Sequence, residues 1–185
     1  MRDAAPSPAL SPVQFSVSVP VVRSERLILR EPRVADLDAV AEFNASPRAA
    51  FVGGPMTRFE SWRNILMICG HWVVRGYGYW TIEEAETGRV VGRIGVHYHE
   101  EKWPEPELGW QVFDGFEGRG YAHEAALAAR AQAGRMGLGP LISLIAPDNL
   151  RSRRLAERMG ASPEREIDLL GKHVLMYRHP AEVPA

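Results

Sequence analysis

The spacing of apolar residues predicts short strands that alternate with a few amphipathic helices. Two-residue alternation or a short apolar run is typical of a strand, whereas apolar residues three or four apart are typical of a helix. We predict strands over 21–30, 77–84, 89–99, 107–113, 141–146, 167–170 and 172–177. We predict helices over 35–44, from Thr57 to Gly76, over 121–136 and over 149–159.

Two local signals organise these elements into one α/β domain. Thr57 followed by Glu60 is a capping box, which predicts the start of the second helix. The mostly apolar run at 141–146 is typical of a buried central strand, and the helix before it implies a crossover and one parallel pairing in a mixed sheet. We expect this domain to span 21–185, preceded by a flexible, proline-containing tail at 1–20 with an edge strand at 15–19.

Composition narrows the classes of function. The chain has 22 basic and 23 acidic residues and a net charge of -1, so we expect no nucleic-acid or membrane partner. Cys69 is the only cysteine, which rules out an internal disulfide, favours a cytoplasmic location and predicts a packing role for its thiol. No spacing of cysteine and histidine suggests a metal site, so no metal is expected.

The segment FDGFEGRGYA at 113–122 joins a predicted strand to a predicted helix. Gly118 and Gly120 allow a sharp turn and a close approach of the backbone to a ligand. The unpaired amides at the start of the following helix favour an anion, and Arg119 adds a cation. The segment predicts a pyrophosphate site, with an ordinary glycine-rich turn as the alternative. It lacks both the Gly-Lys-Ser/Thr of nucleoside triphosphatases and the three-glycine spacing of dinucleotide-binding folds.

Four segments in order carry a family resemblance: ELGW at 107–110, GRGYAHEA at 118–125, NLRS at 149–152 and LAERMG at 155–160. With SERLILR at 24–30, they resemble the GNAT N-acetyltransferases, specifically the RimJ/RimL-like subgroup, over about 23–178. The resemblance implies a single-domain GNAT fold. Its central mixed, mostly antiparallel twisted sheet would have six or seven strands and four flanking helices. A V-shaped splay is implied between the fourth and fifth core strands, 107–113 and 141–146.

The resemblance also implies acetyl-CoA as the acetyl donor and two groups of residues that hold it. The pyrophosphate would bind the backbone at Gly118, Arg119, Gly120, Tyr121 and Ala122. The pantetheine arm would lie along Trp110, Gln111, Val112 and Phe113, with Asn149 and Ser152 on the next helix. Glu117 departs from the family pattern, which has glutamine or arginine there. An acidic side chain beside a pyrophosphate is unfavourable unless it points away.

The implied reaction is direct attack of a primary amine, from a protein N-terminus or a small molecule, on the thioester. The resemblance makes Glu107 a candidate base acting through water, and His97, His99 or solvent remain alternatives. The tyrosine that serves relatives as the acid is replaced by Ala156, and Ser152 is the substitute near the sulfur. Trp103 is expected at the acceptor entrance. A non-catalytic acyl-CoA-binding module is the alternative function, and a homodimer is open because relatives are often dimers.

Overall fold

The computed structural model describes residues 16–99 and 102–181. Most of the predicted tail, together with Glu100 and Glu101, lies outside these residues. The expected edge strand at 15–19 is not formed over its described part, since residues 16–20 carry no regular structure. Instead, Val19 packs against the core and the Pro20 carbonyl accepts a 2.8 Å hydrogen bond from Trp80 Nε1.

The described residues contain eight strands and four α-helices. The strands are β1 (Val22–Arg23), β2 (Leu27–Arg30), β3 (Tyr79–Glu84), β4 (Val90–His97), β5 (Glu107–Val112), β6 (Ile142–Ile145), β7 (Ser162–Leu169) and β8 (Lys172–Arg178). The helices are α1 (Leu37–Ala45), α2 (Arg58–Arg75), α3 (Tyr121–Arg135) and α4 (Leu150–Arg158). Two 3-10 segments, Val34–Asp36 and Pro47–Val52, flank α1.

All eight strands form one sheet in the order β1-β2-β3-β4-β5-β6-β8-β7. Every neighbouring pair is antiparallel except β5 and β6, which are parallel as the crossover through α3 predicted. β5 pairs with β4 along its whole length but meets β6 only at Glu107 and Ile142. The two strands therefore diverge from that point, and the predicted V-shaped splay is confirmed between β5 and β6.

The single strand predicted over 21–30 is wrong. It is a hairpin of β1 and β2, closed by the Ser24 amide, which donates to the Leu27 carbonyl at 3.0 Å. Glu124 of α3 accepts from the Ser24 hydroxyl and the Arg26 amide, both at 2.7 Å, and so holds the polar turn. The extra strand raises the sheet from the expected six or seven strands to eight.

Two helices, α2 and α3, lie beside the residues of the candidate site. The capping box of α2 is confirmed, because Thr57 Oγ1 accepts from the Glu60 amide and Glu60 Oε2 accepts from the Thr57 amide. α3 packs on the sheet through alanines that are fully buried and so let its axis approach closely: Ala125, Ala126, Ala129 and Ala133. None of the helices in the described ranges has the length and apolar character needed to cross a bilayer.

Candidate active site

The splay between β5 and β6 opens into two cavities that meet. One cavity, of about 1060 Å³, lies beside the starts of α3 and α4. The other, of about 470 Å³, lies on the sheet face that α2 covers. Trp110 and Ser152 line both cavities. The gap between β5 and α4, here termed the passage, therefore lies between the loop before α3 and the side chains around Glu107.

The loop before α3 presents free backbone donors to the larger cavity. Gly118 and Gly120 have φ values of 74° and 82°, in the left-handed region that favours glycine. The amides of His123 and Glu124 bond to the Gly120 carbonyl, and the amides of residues 118–122 have no acceptor in the part of the chain that the structure describes. These unpaired amides stand at the positive end of a 15-residue helix, an arrangement that favours an anion.

Glu117, the departure from the family pattern, has its charge matched locally. Its carboxylate accepts from the Gly115 amide at 2.7 Å and lies 2.7 Å from the Arg48 guanidinium. Arg48 also donates to the Val112 carbonyl and to Asp114. The acidic side chain is thus turned toward Arg48, which reduces the repulsion that an anion on the adjacent amides would meet.

The arginines around the loop are not arranged as the sequence suggests. Arg119 donates to the Gly115 carbonyl at 3.0 Å and lies 3.8 Å from Glu84, so its guanidinium points back along the loop. Arg26 lies closer to the amides: it donates to the Arg119 carbonyl and stacks 4.9 Å from the Tyr121 ring. Three arginines of α4 line the same cavity: Arg151, Arg154 and Arg158. A phosphate contact by Arg119 stays a prediction that requires its side chain to turn.

The side chains of Gln111 and Phe113 are held by partners in the core, so the backbone of this strand can face a ligand. Gln111 accepts from Arg93, and the Phe113 ring stacks 5.1 Å from Phe43. Ser143 Oγ of β6 donates to the Leu108 carbonyl at 2.6 Å, so that carbonyl faces the splay. Because backbone groups two residues apart on a strand point the same way, those of Trp110 also face the open passage.

Glu107 and His97 form a close pair at the point where β5 and β6 still touch. Glu107 is 9% exposed, and its Oε2 lies 3.2 Å from His97 Nε2. Trp103 Nε1 donates to the same oxygen, and Oε1 accepts from the Leu144 amide at 3.3 Å. His99 lies outside this pair, with its ring 5.2 Å from that of His97. Of the candidate bases, the structure joins Glu107 to His97.

The surroundings of the pair keep two other groups neutral at physiological pH. Burial lowers the pKa of the His99 imidazole, and the nearby His97 and His71 rings lower it further. Burial raises the pKa of the Tyr79 hydroxyl, and the Glu107 charge adds to the effect, so the hydroxyl stays protonated. The Tyr79 ring lies 5.4 Å from His97. Tyr79 was not among the site residues predicted from the sequence. A Cβ at residue 109 would overlap the Tyr79 hydroxyl, so the glycine at that position is the sequence feature that goes with it.

Asn149 and Ser152 lie at the start of α4. Asn149 is the N-cap residue, and its Oδ1 accepts from the Ser152 amide at 3.2 Å. This leaves the Asn149 amide nitrogen and the Ser152 hydroxyl beside the passage. Ala156 is fully buried one turn further on. Trp103 lines the smaller cavity, where it was expected to shape the acceptor entrance.

Comparison with known proteins agrees with this architecture. The family model described as "Acetyltransferase (GNAT) domain" matches residues 26–162. The chain belongs to the GNAT acetyltransferase family. Like other GNAT proteins, it is an acetyl-CoA-dependent acetyltransferase.

GNAT relatives cover most of the chain. An acetyltransferase structure from Agrobacterium tumefaciens is 37% identical, covers 92% of this chain and 99% of that chain, and has a TM-score of 0.80. The uncharacterized N-acetyltransferase YoaA of Bacillus subtilis is 27% identical over 78% of this chain and 84% of its own length. RimL, a ribosomal L7/L12 alpha-N-protein acetyltransferase solved with coenzyme A, is 18% identical over 86% of this chain and 97% of its own, with a TM-score of 0.72. The predicted likeness to RimL is thereby confirmed at the level of the fold.

Proposed function

We propose that this GNAT enzyme transfers the acetyl group of acetyl-CoA to a primary amine by direct attack within a ternary complex. One observation carries the proposal: unpaired helix amides and the Glu107–His97 pair lie on the two sides of the passage, in two cavities that Trp110 and Ser152 both line. The amides suit the diphosphate of the donor, and the acid–base pair suits the amine. The acetyl thioester would lie in the passage between them.

The residues around the passage fit coenzyme A. The amides of residues 118–122 would bind the diphosphate, and no side chain of Gly118 or Gly120 stands in the way. The backbone of Trp110 would bond the pantetheine arm, and a backbone amide of β5 would stabilise the oxyanion that forms during attack. Asn149 would bond a pantetheine amide with its free amide nitrogen.

Removal of a proton from the amine is the step in which the Glu107–His97 pair acts. An aliphatic amine enters largely as an ammonium ion and must lose a proton before it attacks. Glu107 is a buried carboxylate that already holds Trp103 and His97, and it would take that proton directly or through water. The departing thiolate needs only a hydrogen bond, because a free thiol has a pKa of about 8.5. Ser152 would supply that bond.

The acceptor is a protein N-terminus or a small-molecule amine. RimL acts on the N-terminus of ribosomal L7/L12, and the shared fold makes a protein N-terminus one candidate for this chain. The smaller cavity, at about 470 Å³, is also of a size that encloses a small acceptor. A cytoplasmic location, a homodimer and the lack of a nucleic-acid partner stay predictions.

Replacement of Gly120 by valine tests the coenzyme site. A β-branched residue disfavours the left-handed conformation, and its Cβ would lie 3.3 Å from Arg26 Nη2, so we expect acetyl-CoA binding to weaken at least about tenfold. Gly134→Ala near the C-terminal end of α3 is the control, because a Cβ there meets nothing within 4 Å. Calorimetry with acetyl-CoA measures both. Unchanged affinity in Gly120→Val would contradict the assignment, and no binding to the unmodified protein at high micromolar concentration would refute the function.

A further inference from the structure

Arg93 of β4 is a buried cation whose hydrogen-bond partners are all neutral. Its side chain projects on the face of the sheet that α2 covers, and the residue is 4% exposed. Nε and Nη2 donate to Gln111 Oε1 at 3.0 and 2.6 Å, and Nη1 donates to Asn64 Oδ1 at 2.7 Å. These bonds use three of the five N–H groups of a guanidinium. Two donors therefore remain, and among residues 16–99 and 102–181 no carboxylate forms an ion pair with Arg93.

The carboxylate that acts on Arg93 through space is already matched by another cation. Asp36 accepts two hydrogen bonds from Arg30, at 3.0 and 2.8 Å, and one from the Thr81 hydroxyl at 2.7 Å. Burial lowers the pKa of Arg93 to about 10, which still leaves it charged at neutral pH. A buried charge without a counterion is unfavourable, and a neutral donor would bridge Asn64 and Gln111 at lower cost. The charge itself therefore needs an explanation.

Arg93, Asn64 and Gln111 line the same cavity as Tyr79 and Glu107. We infer that Arg93 binds a carboxylate of the acceptor, so that the substrates are small primary amines that also carry a carboxylate group. The inference rests on the proposed function, since it assigns the substrate of that reaction. The two free N–H groups match the two oxygens of a carboxylate, and its single charge balances the single charge of Arg93. A phosphate dianion would leave excess negative charge in a cavity that already contains Glu107.

The distance between the two ends of the cavity limits the size of the acceptor. Arg93 and His97 are four residues apart on β4, which corresponds to about 13 Å along a strand. An acceptor with its amine at the Glu107–His97 pair and its carboxylate at Arg93 would span up to that length. Chains rise at most about 3.6 Å per residue, so dipeptides, tripeptides and long ω-amino acids are the fitting classes.

The test compares each acceptor with its own carboxamide. Dipeptides, tripeptides and ω-amino acids, each as the free acid and as the primary amide, are titrated by calorimetry into the protein saturated with coenzyme A. Their acetylation is followed separately by release of the coenzyme A thiol. We expect at least one class of free acid to bind about tenfold or more tightly than its amide, because only the acid gives Arg93 a counterion.

Two variants connect the preference to Arg93. Asn64→Asp places a carboxylate of nearly the same shape on Arg93 Nη1 and should reduce the preference for the free acid to within about twofold. Arg93→Met removes the cation and should have the same effect, so either variant suffices if the other does not fold. Arg63→Gln removes an exposed arginine from the same helix as Asn64 and should keep the full preference.

The outcomes separate the inference from the proposed function. Equal binding of acids and amides, or no binding of any pair, overturns the inference. A preference that survives in every folded variant of the two, Asn64→Asp and Arg93→Met, overturns it as well. Rapid thiol release with the amides would refute the carboxylate requirement while supporting acetyl transfer. Failure of the protein to bind acetyl-CoA would instead refute the proposed function.

Discussion

His179 should make the free energy of unfolding fall as the pH drops below about 6.5. The residue is 1% exposed, its Nε2 lies 2.9 Å from Ser143 Oγ, and its Nδ1 faces Arg130 Nη1 at 3.4 Å. Ser143 Oγ donates its own hydrogen to the Leu108 carbonyl, so His179 Nε2 is the donor of this pair. Nδ1 therefore carries no hydrogen, and protonating it would direct a second N–H at the arginine.

The magnitude follows from the pKa of His179, which burial and the Arg130 charge lower from 6.5 to about 4. Between these values the unfolded chain binds more protons than the folded protein, so stability is fully present above pH 6.5 and is lost as the pH falls toward 4. One pKa unit corresponds to about 1.4 kcal/mol, so the full effect is about 3 kcal/mol, of which about 2 kcal/mol is lost by about pH 5.

Urea unfolding of the native protein and of His179→Gln between about pH 7 and about pH 5 measures this term. Glutamine keeps a donor and an acceptor but does not titrate, so the variant should be less stable at pH 7 and lose about 2 kcal/mol less than the native protein on acidification. His173→Gln is the matched control, because the His173 side chain is 56% exposed. Parallel pH dependences of the native protein and His179→Gln would refute the reasoning.

Further predictions concern catalysis and folding. Glu107→Gln should lower kcat at neutral pH by about a hundredfold or more and change the pH–rate profile. Glu105→Gln is the control and should leave kcat unchanged, because Glu105 pairs with Arg178 at 2.7 Å. If Glu107→Gln had the same kcat as the native protein, the base would instead be a histidine or solvent. Tyr79→Phe removes a neutral hydroxyl that lines the acceptor cavity, so kcat/KM should fall by about tenfold while the melting temperature is kept; steady-state kinetics and calorimetry would check this. Thr57→Ala removes the cap of α2 and should cost about 1 kcal/mol in urea unfolding.

Features with a local signal could be predicted from the sequence. The capping box at Thr57 and the parallel crossover follow from residues that are close together or from the order of elements, whereas the splay between β5 and β6 was expected from the family resemblance. The glycines at 118 and 120 likewise marked the loop whose amides are left unpaired. Each of these depends on backbone conformation over a few residues, which residue type largely determines.

Features that depend on partners far along the chain could not be predicted. Arg26 lies against the loop before α3 because it pairs with Glu124, which is 98 residues away along the chain. The same Glu124 holds the turn of the β1–β2 hairpin, a segment that the sequence predicts as one strand. Arg93 is exceptional only because Asn64 and Gln111, rather than a carboxylate, lie around it. The sequence shows that residues 26 and 93 are arginines. Whether each is paired, and what it can bind, depends on the side chains that tertiary packing brings near.

The two cavities carry different arrangements of charge, even though the chain as a whole is nearly neutral. The larger cavity has the positive end of α3 together with Arg151, Arg154 and Arg158 of α4, and this suits a donor with several phosphate charges. Arg26 and Arg48 also line it, but they are paired with Glu124 and Glu117. The smaller cavity has Glu107, which suits an ammonium ion, together with Arg93 and Lys172, and Arg93 is the cation inferred to bind a carboxylate. Interactions between exposed charges are screened beyond about 8 Å at physiological salt, so these charges attract the donor and the acceptor only close to each cavity opening. Donor and acceptor would therefore be drawn to opposite ends of the passage, and they would meet where Trp110 and Ser152 line both cavities.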